Sequence, residues 1–364
     1  MKIEAIVSYL ETLAHPSLQE HYDNAGLITG DADCDCTGIV ISLDATEDVI
    51  KEAIGKKCNL VIAHHPIIFG GLKKINGKNY VERAVITAIK NDIAIYAIHT
   101  NLDNVIDGVS GKMAAMLGLQ NVKILAPREG TLRKLFTFVP IDKIFQVRNA
   151  IFEAGGGQIG NYSECSFNAE GTGTYKAGNG ANPYSGRVGE LHMEKEIKIE
   201  VIFESFLQNK ILAAMIAAHP YEEVAYDVIS LSNTYNQIGS GVIGDLPDIT
   251  DEKMFLSKLK KIFRLQFIKH TVLTGKPIKK IAVCGGAGSF LIPKALASQA
   301  DVYITADLKY HEFFDADGSI LLADIGHYES EQFTINLLQD VLVQKFPTFA
   351  ILKTTVETNP VRYF

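Results

Sequence analysis

The stretch Asn59-Leu-Val-Ile-Ala63-His64-His65-Pro66 reads as an unbroken apolar strand that ends on two histidines. A run without polar alternation is the mark of a strand covered on both faces, as in a parallel sheet fed by crossover helices. Its surroundings repeat the pattern. Upstream, 38–43 is another apolar run and 47–56 has the apolar spacing of a helix; downstream, 82–90 is helical and 93–98 is a third run. The same texture returns late in the chain, with strands expected at 281–284, 302–305 and 320–323, a helical segment at 291–297 and a closing helix at 331–343. Strands alternating with helices predict an α/β fold with a mainly parallel sheet. At the start, Ile3, Ile6, Val7, Leu10 and Leu13 follow helical spacing around Glu4 and Glu11, which predicts an amphipathic helix and not an export signal.

The middle is different. It offers a strand over 134–139, a helix over 143–153, a glycine-rich passage, a strand over 196–203, a helix over 206–218 and a strand over 225–231. The glycine-rich passage includes Gly155-Gly-Gly157, Gly171-Thr-Gly173 and Gly178-Asn-Gly180. The order β-α-β-β-α-β is that of a ferredoxin-like α+β unit. The expected organisation is an α/β core made of residues 1–130 and 234–364, split by an inserted domain at 131–233.

Composition narrows the function classes. The chain has 364 residues, 47% hydrophobic and 21% charged, enough apolar material for a large core and too much for disorder. Its 35 Lys and Arg against 42 Asp and Glu leave a net charge of −7, which argues against a general nucleic-acid or anionic-membrane binder. No apolar run approaches the roughly 20 residues that span a bilayer. The five cysteines are odd in number and form no Cys-x-x-Cys pair; Cys34-x-Cys36 reads as two reduced loop thiols. A cytoplasmic location is expected.

The chemistry gathers after the strands. His64-His65 closes one, His99-Thr-Asn-Leu-Asp103 follows a second, and Gly326-His327-Tyr-Glu-Ser-Glu331 follows a third. Carboxyl ends of strands line the ligand crevice of open α/β sheets. Four of the ten histidines lie in these short segments. His and carboxylate donors suit Zn, Fe, Mn or Co. His64, His65, Asp103, His327 and Glu331 are more donors than one catalytic zinc uses, so two divalent ions bridged by a carboxylate are expected. His327 and Glu331 share a face if a helix already starts there. Water on such a metal pair ionises near neutral pH and becomes a hydrolytic nucleophile. His99 is either a partner that orients a ligand or a structural histidine.

Other candidates accompany this set. Gly286, Gly288 and Ser289 lie in Cys284-Gly-Gly-Ala-Gly-Ser289, between a strand and a helix, where backbone N–H groups can hold phosphate; a tight turn is the alternative. Asp307, Lys309 and His311 follow another strand and are candidates for acid–base or substrate contact, or else polar surface. Asp44 and Tyr22-Asp23-Asn24 are candidates to line the cleft. In the middle segment, His219-Pro220-Tyr221-Glu222-Glu223 reads as a helix end, with Pro as the stop. Asn161, Tyr162 and Tyr184 sit in glycine-rich loops, open to ligand or subunit contact.

Taken together, Asp23-Asn-Ala-Gly-Leu27, Ala63-His-His-Pro66, His99-Thr-Asn-Leu-Asp103, Gly285-Gly-Ala-Gly-Ser289, Asp307-Leu-Lys-Tyr-His311 and Gly326-His-Tyr-Glu-Ser-Glu331 resemble the NIF-three-like family, often named GTP cyclohydrolase I type 2 homologues. Gly160-Asn-Tyr-Ser-Glu-Cys-Ser-Phe167 and Ala218-His-Pro-Tyr-Glu-Glu223 resemble the PII/CutA-like insert of its longer bacterial members. Ala25 stands where many relatives have Val. The resemblance implies a three-layer sheet-and-helix core split by that insert, and a dinuclear metal site on His64, His65, Asp103, His327 and Glu331. It also implies a toroidal homohexamer and an activity on GTP, opening its imidazole ring to release formate. Two function classes follow: a metal-dependent hydrolase of GTP or a related small molecule, with Lys309, His311 or the Gly285 loop toward phosphate, or a non-catalytic metal-holding or ligand-sensing scaffold whose insert governs assembly or regulation.

Overall fold

The computed structural model describes residues 1–363, which divide into two units, 1–127 with 236–363, and Arg128–Tyr235. The first unit contains two sheets. One runs Gly26–Thr29, Ala94–Ala97, Leu60–His65, Ile39–Asp44, Ile351–Lys353, parallel except for its first strand. Its unbroken apolar strands are buried on both faces. Ile39, Ile41, Leu60, Ile62 and Tyr96 face the helices Ile3–Leu13 and Thr334–Lys345. The alternate residues Val40, Val61 and Ile95 face Glu47–Gly55 and Tyr80–Lys90. Thr46 and Asn79 start those two helices by accepting N–H bonds from Val49 and Glu82, which satisfies donors a helix start leaves orphaned.

The second sheet runs Lys269–His270, Leu321–Asp324, Val302–Ala306, Ile278–Ala287, Gly239–Thr250, Gln120–Pro127. Only Leu321–Asp324, Val302–Ala306 and Ile278–Ala287 are mutually parallel; the other three strands are antiparallel to their neighbours. Helix Val109–Leu117 joins the two cores. It puts Val109 into the first and Met113, Ala114 and Leu117 into the second, with Phe255 and Leu259 of helix Glu252–Ile262. This is the sheet-and-helix layering that the sequence predicts, with two sheets. Four antiparallel strands, Gly26–Thr29, Gln120–Pro127, Gly239–Thr250 and Lys269–His270, and the parallel edge strand Ile351–Lys353 have no counterpart in the sequence reading.

The second unit is a four-stranded antiparallel sheet in the order Phe167–Lys176, Leu191–Glu204, Leu132–Pro140, Tyr226–Ser230. In chain order that is second, third, first, fourth, the ferredoxin-like arrangement. Helices Ile144–Glu153 and Gln208–Ala218 cover one face, around Leu135, Val147, Ile151, Val201, Phe203 and Met215. Part of the glycine-rich passage is here a strand, Phe167–Lys176, paired along its whole length with its neighbour. Among the described residues no helix is long and apolar enough to cross a membrane.

Candidate metal centre

The parallel strands of the first unit deliver their carboxyl ends to one place. Leu60–His65 ends on His64 and His65, the short helix Thr100–Asp103 carries Asp103, and helix His327–Glu331 carries His327 and Glu331. A cleft of about 940 Å³ opens there.

His64 is fully buried, and its Nδ1–H donates to the Ile98 carbonyl at 2.8 Å. That bond turns Nε2 toward Asp103 Oδ1 at 3.6 Å and Glu331 Oε1 at 3.9 Å. Both His64 Nε2 and Asp103 Oδ1 are buried without a hydrogen-bond partner. Leaving two such atoms dry and unpaired is costly, and a cation between them removes the cost. His65 donates through Nδ1 to Asp44 at 2.8 Å and through Nε2 to Glu331 Oε2 at 2.9 Å. His327 does the same to Asp307 at 2.6 Å and Glu331 Oε2 at 3.1 Å. The Nε2 atoms of His65 and His327 are 3.3 Å apart. The potential ligand atoms form the sets His64–Asp103–Glu331, His65–His327–Glu331 and His64–His65–His99, each within 4.8 Å. Glu331 belongs to the first two. These residues fit a metal ion.

The protonation pattern has the same cause. Burial lowers the pKa of His64 to about 3, so it is neutral and its Nε2 lone pair is free. Burial also opposes charge on His65 and His327, but their carboxylate partners win, raising them to about 9 and about 11. Burial, then the nearby Glu331 charge, pushes Asp103 well above the usual carboxylate range. Burial opposes Glu331 as well, yet hydrogen bonds from His327 and His65 hold it well below that range.

Each histidine has an acceptor behind it, which fixes its ring and tautomer. For His99 it is Asp23 Oδ1 at 2.7 Å, and the His99 ring stands edge-on to His64 and His65, 5.3 Å from each. Asp23 is in turn bound by Thr100; burial opposes its charge, but His99 and Thr100 hold it at about 2. His99 therefore joins the cluster, and Asp44 and Asp23 belong to its support. Thr358, which donates to Asp44 Oδ2 at 2.6 Å, and the aromatic walls Phe69, Tyr80 and Phe290 were beyond sequence reasoning.

The remaining candidates divide. Asp307 acts on His327 rather than facing the cleft. Its left-handed backbone, φ +57°, turns the chain, and exposed Lys309, just before the short helix Tyr310–Ala316, and His311 within it lie outside the cleft lining. The glycine loop is a packing device. Gly286 donates its N–H to Ser330 Oγ at 3.0 Å, Tyr303 and Thr305 hold the carbonyls of Gly288 and Gly286, and Ser289 turns to Glu312. A Cβ on Gly286, at φ +62°, would sit 2.3 Å from Glu331 Oε1, and one on Gly288 would strike Thr305 and Tyr303. The glycines make room for Glu331 and its neighbours; the structure gives Gly286 no free N–H for phosphate.

The family model described as Duf34/NIF3 (NGG1p interacting factor 3) matches residues 1–360. A Halalkalibacterium halodurans protein named GTP cyclohydrolase 1 type 2 homolog is 39% identical over 363 residues, 98% of this chain and 97% of the relative. A Bacillus subtilis protein of the same name is 36% identical over 363 residues, with the same coverage. Among solved structures, a Bacillus cereus protein related to NIF3 has a TM-score of 0.87 at 36% identity, covering 100% of this chain and 99% of that one. A Staphylococcus aureus protein has a TM-score of 0.79 at 28% identity, again over 100% and 99%. Matched in sequence and in fold across core and insert alike, this chain belongs to the Duf34/NIF3 family.

Proposed function

We propose that the chain is a metal-dependent hydrolase that holds two divalent ions, Zn, Fe, Mn or Co, and acts on GTP or a related small molecule. The observation that carries this reading is the sharing of Glu331 between two ligand sets, one of which leaves His64 Nε2 and Asp103 Oδ1 buried and unpaired. His64, Asp103 and Glu331 would hold one ion; His65, His327 and Glu331 the other. Such ions supply Lewis-acid polarisation and an ionised water at neutral pH. The chain's own part is positioning: the Ile98 carbonyl, Asp44 and Asp307 orient the three histidines, and the glycine loop keeps Glu331 in place.

The substrate class draws support from two sides. The relatives carry the name GTP cyclohydrolase 1 type 2 homolog. The cleft is also of the size that takes small ligands, with Tyr22, Phe69 and Phe290 as apolar walls. Its lining holds Glu20, Asp44, Asp103 and Glu331 and neither Lys nor Arg. A nucleotide's negative charge would therefore be met by bound cations and not by side chains. The family resemblance further implies a homohexamer as the working assembly, which light scattering checks against the 39.9 kDa of one chain, and a cytoplasmic location goes with it.

The test is elemental analysis of the purified protein, followed by formate and phosphate release from GTP and other nucleotides. Two divalent ions per chain with formate release support the reading. A single ion overturns the dinuclear site. Full metal loading with no turnover of any nucleotide overturns the hydrolase and leaves the metal-holding scaffold.

A further inference from the structure

The insert has a second cavity, of about 770 Å³, on the sheet face that its helices leave open. Strand register places Glu196 beside Gly171 and Glu194 beside Gly173 there. Gly171 opens the hollow, since a Cβ there would meet nothing within 4 Å, whereas Gly173 makes room for the Glu196 carboxylate, whose Oε2 would lie 2.1 Å from a Cβ. Three tyrosines wall it. Tyr221 stands 6.2 Å from Tyr175 and 5.9 Å from Tyr184, with ring planes inclined by 63° and 51°.

Each hydroxyl is tied down. Tyr175 donates to the Ser185 carbonyl at 2.6 Å, Tyr184 to Asp142 at 3.1 Å and Tyr221 to Glu196 at 2.8 Å. Glu196 is only 8% exposed. His219 fixes Tyr221 from the chain side, accepting the Tyr221 N–H at 3.1 Å and donating to the Phe138 carbonyl at 3.0 Å. The segment that reads as a helix end in the sequence thus also aims a tyrosine into a pocket. Glu222, which accepts the Asn182 N–H at 2.9 Å, and Glu223 add negative charge to the lining; of its lysines, Lys198 is engaged by Glu200 at 2.8 Å.

We propose that this pocket binds a small organic cation, an alkylammonium or quaternary ammonium group seated among the tyrosine rings and against Glu196. Aromatic faces attract cations through their quadrupole, and the carboxylates add charge attraction. A flat base would need near-parallel walls, whereas rings inclined by 51° and 63° form a corner that suits a compact head group. An anion is opposed by the carboxylates.

The experiment is calorimetric titration of the full-length protein with choline and with dimethylbutanol, its uncharged carbon isostere. Saturable choline binding is expected, with the alcohol roughly tenfold weaker. Tyr221→Ala should weaken choline by roughly tenfold. Gly171→Leu fills the hollow from an exposed strand position and should abolish binding, with circular dichroism and melting temperature unchanged. Equal binding of choline and the alcohol overturns the proposal, as does the absence of choline binding or its survival in folded Gly171→Leu. Tighter binding of AMP than of choline, lost in the same variant, overturns it in favour of a base-binding pocket.

Discussion

Glu331 is shared by two of the three candidate ligand sets, so on the proposed two-ion reading substitutions around it should differ in kind. Glu331→Ala is expected to empty both sets. Asp103→Asn should empty only the set with His64, so elemental analysis should find half the wild-type metal. Asp307→Asn keeps every ligand but loosens His327, and is expected to weaken metal binding about 10–100-fold, as removal of such orienting partners does. Gly286→Ala should lower metal content with the fold intact, because its Cβ would arrive 2.3 Å from Glu331 Oε1 on a left-handed backbone. Unchanged circular dichroism with reduced metal is the expected pair of readings. Full metal content in Gly286→Ala would show that Glu331 has more room than its surroundings suggest.

At the scale of elements, the chain beyond Ile351–Lys353 returns to the cleft, and Glu52 of helix Glu47–Gly55 anchors that return. It accepts from Thr354 Oγ1, from Thr355 N–H at 2.9 Å and from Lys56 at 2.7 Å. Burial opposes its charge, but these bonds bring its pKa from the ordinary 4.5 to about 2. Between those values the unfolded chain takes up the proton first, so the stabilisation is complete above 4.5 and fades as pH falls toward 2. Glu52→Gln is expected to cost about 1–3 kcal/mol at neutral pH. In denaturant melts the gap to wild type should narrow below pH 4.5. The candidate ligands were legible because each lies at or just after the end of an unbroken apolar strand whose texture announces its buried place and its end. Thr358 was not, because it meets Asp44 from 314 positions away, with no periodicity linking them. Gly239–Thr250 hides for another reason: Gly239, Gly241, Gly244 and Pro247 break the apolar run that the parallel strands display. Lys309 and His311 have the texture of site residues, and only the backbone turn at Asp307 sends them elsewhere.

In the whole molecule, the insert leaves the core between two paired strands. Pro127 of Gln120–Pro127 lies opposite Gly239 of Gly239–Thr250. Replacing Arg128–Tyr235 with a short glycine linker would close an ordinary hairpin, and the shortened protein is expected to keep its full metal content. Arg128–Tyr235 expressed alone should melt cooperatively, since it has its own apolar core and its own complete sheet. Loss of metal from the shortened core would show that the insert supports the centre.

The distribution of ligands along the chain also imposes an order on biosynthesis. His64, His65 and Asp103 leave the ribosome early, whereas His327 and Glu331 follow only after the entire insert has been made. Domains fold as units while synthesis proceeds. The insert can therefore complete its sheet while the first half of the centre still waits for Glu331. A nascent chain stalled before that residue would lack the carboxylate shared by two of the candidate ligand sets, so on the proposed two-ion reading metal loading would wait until translation has passed the insert and reached Glu331.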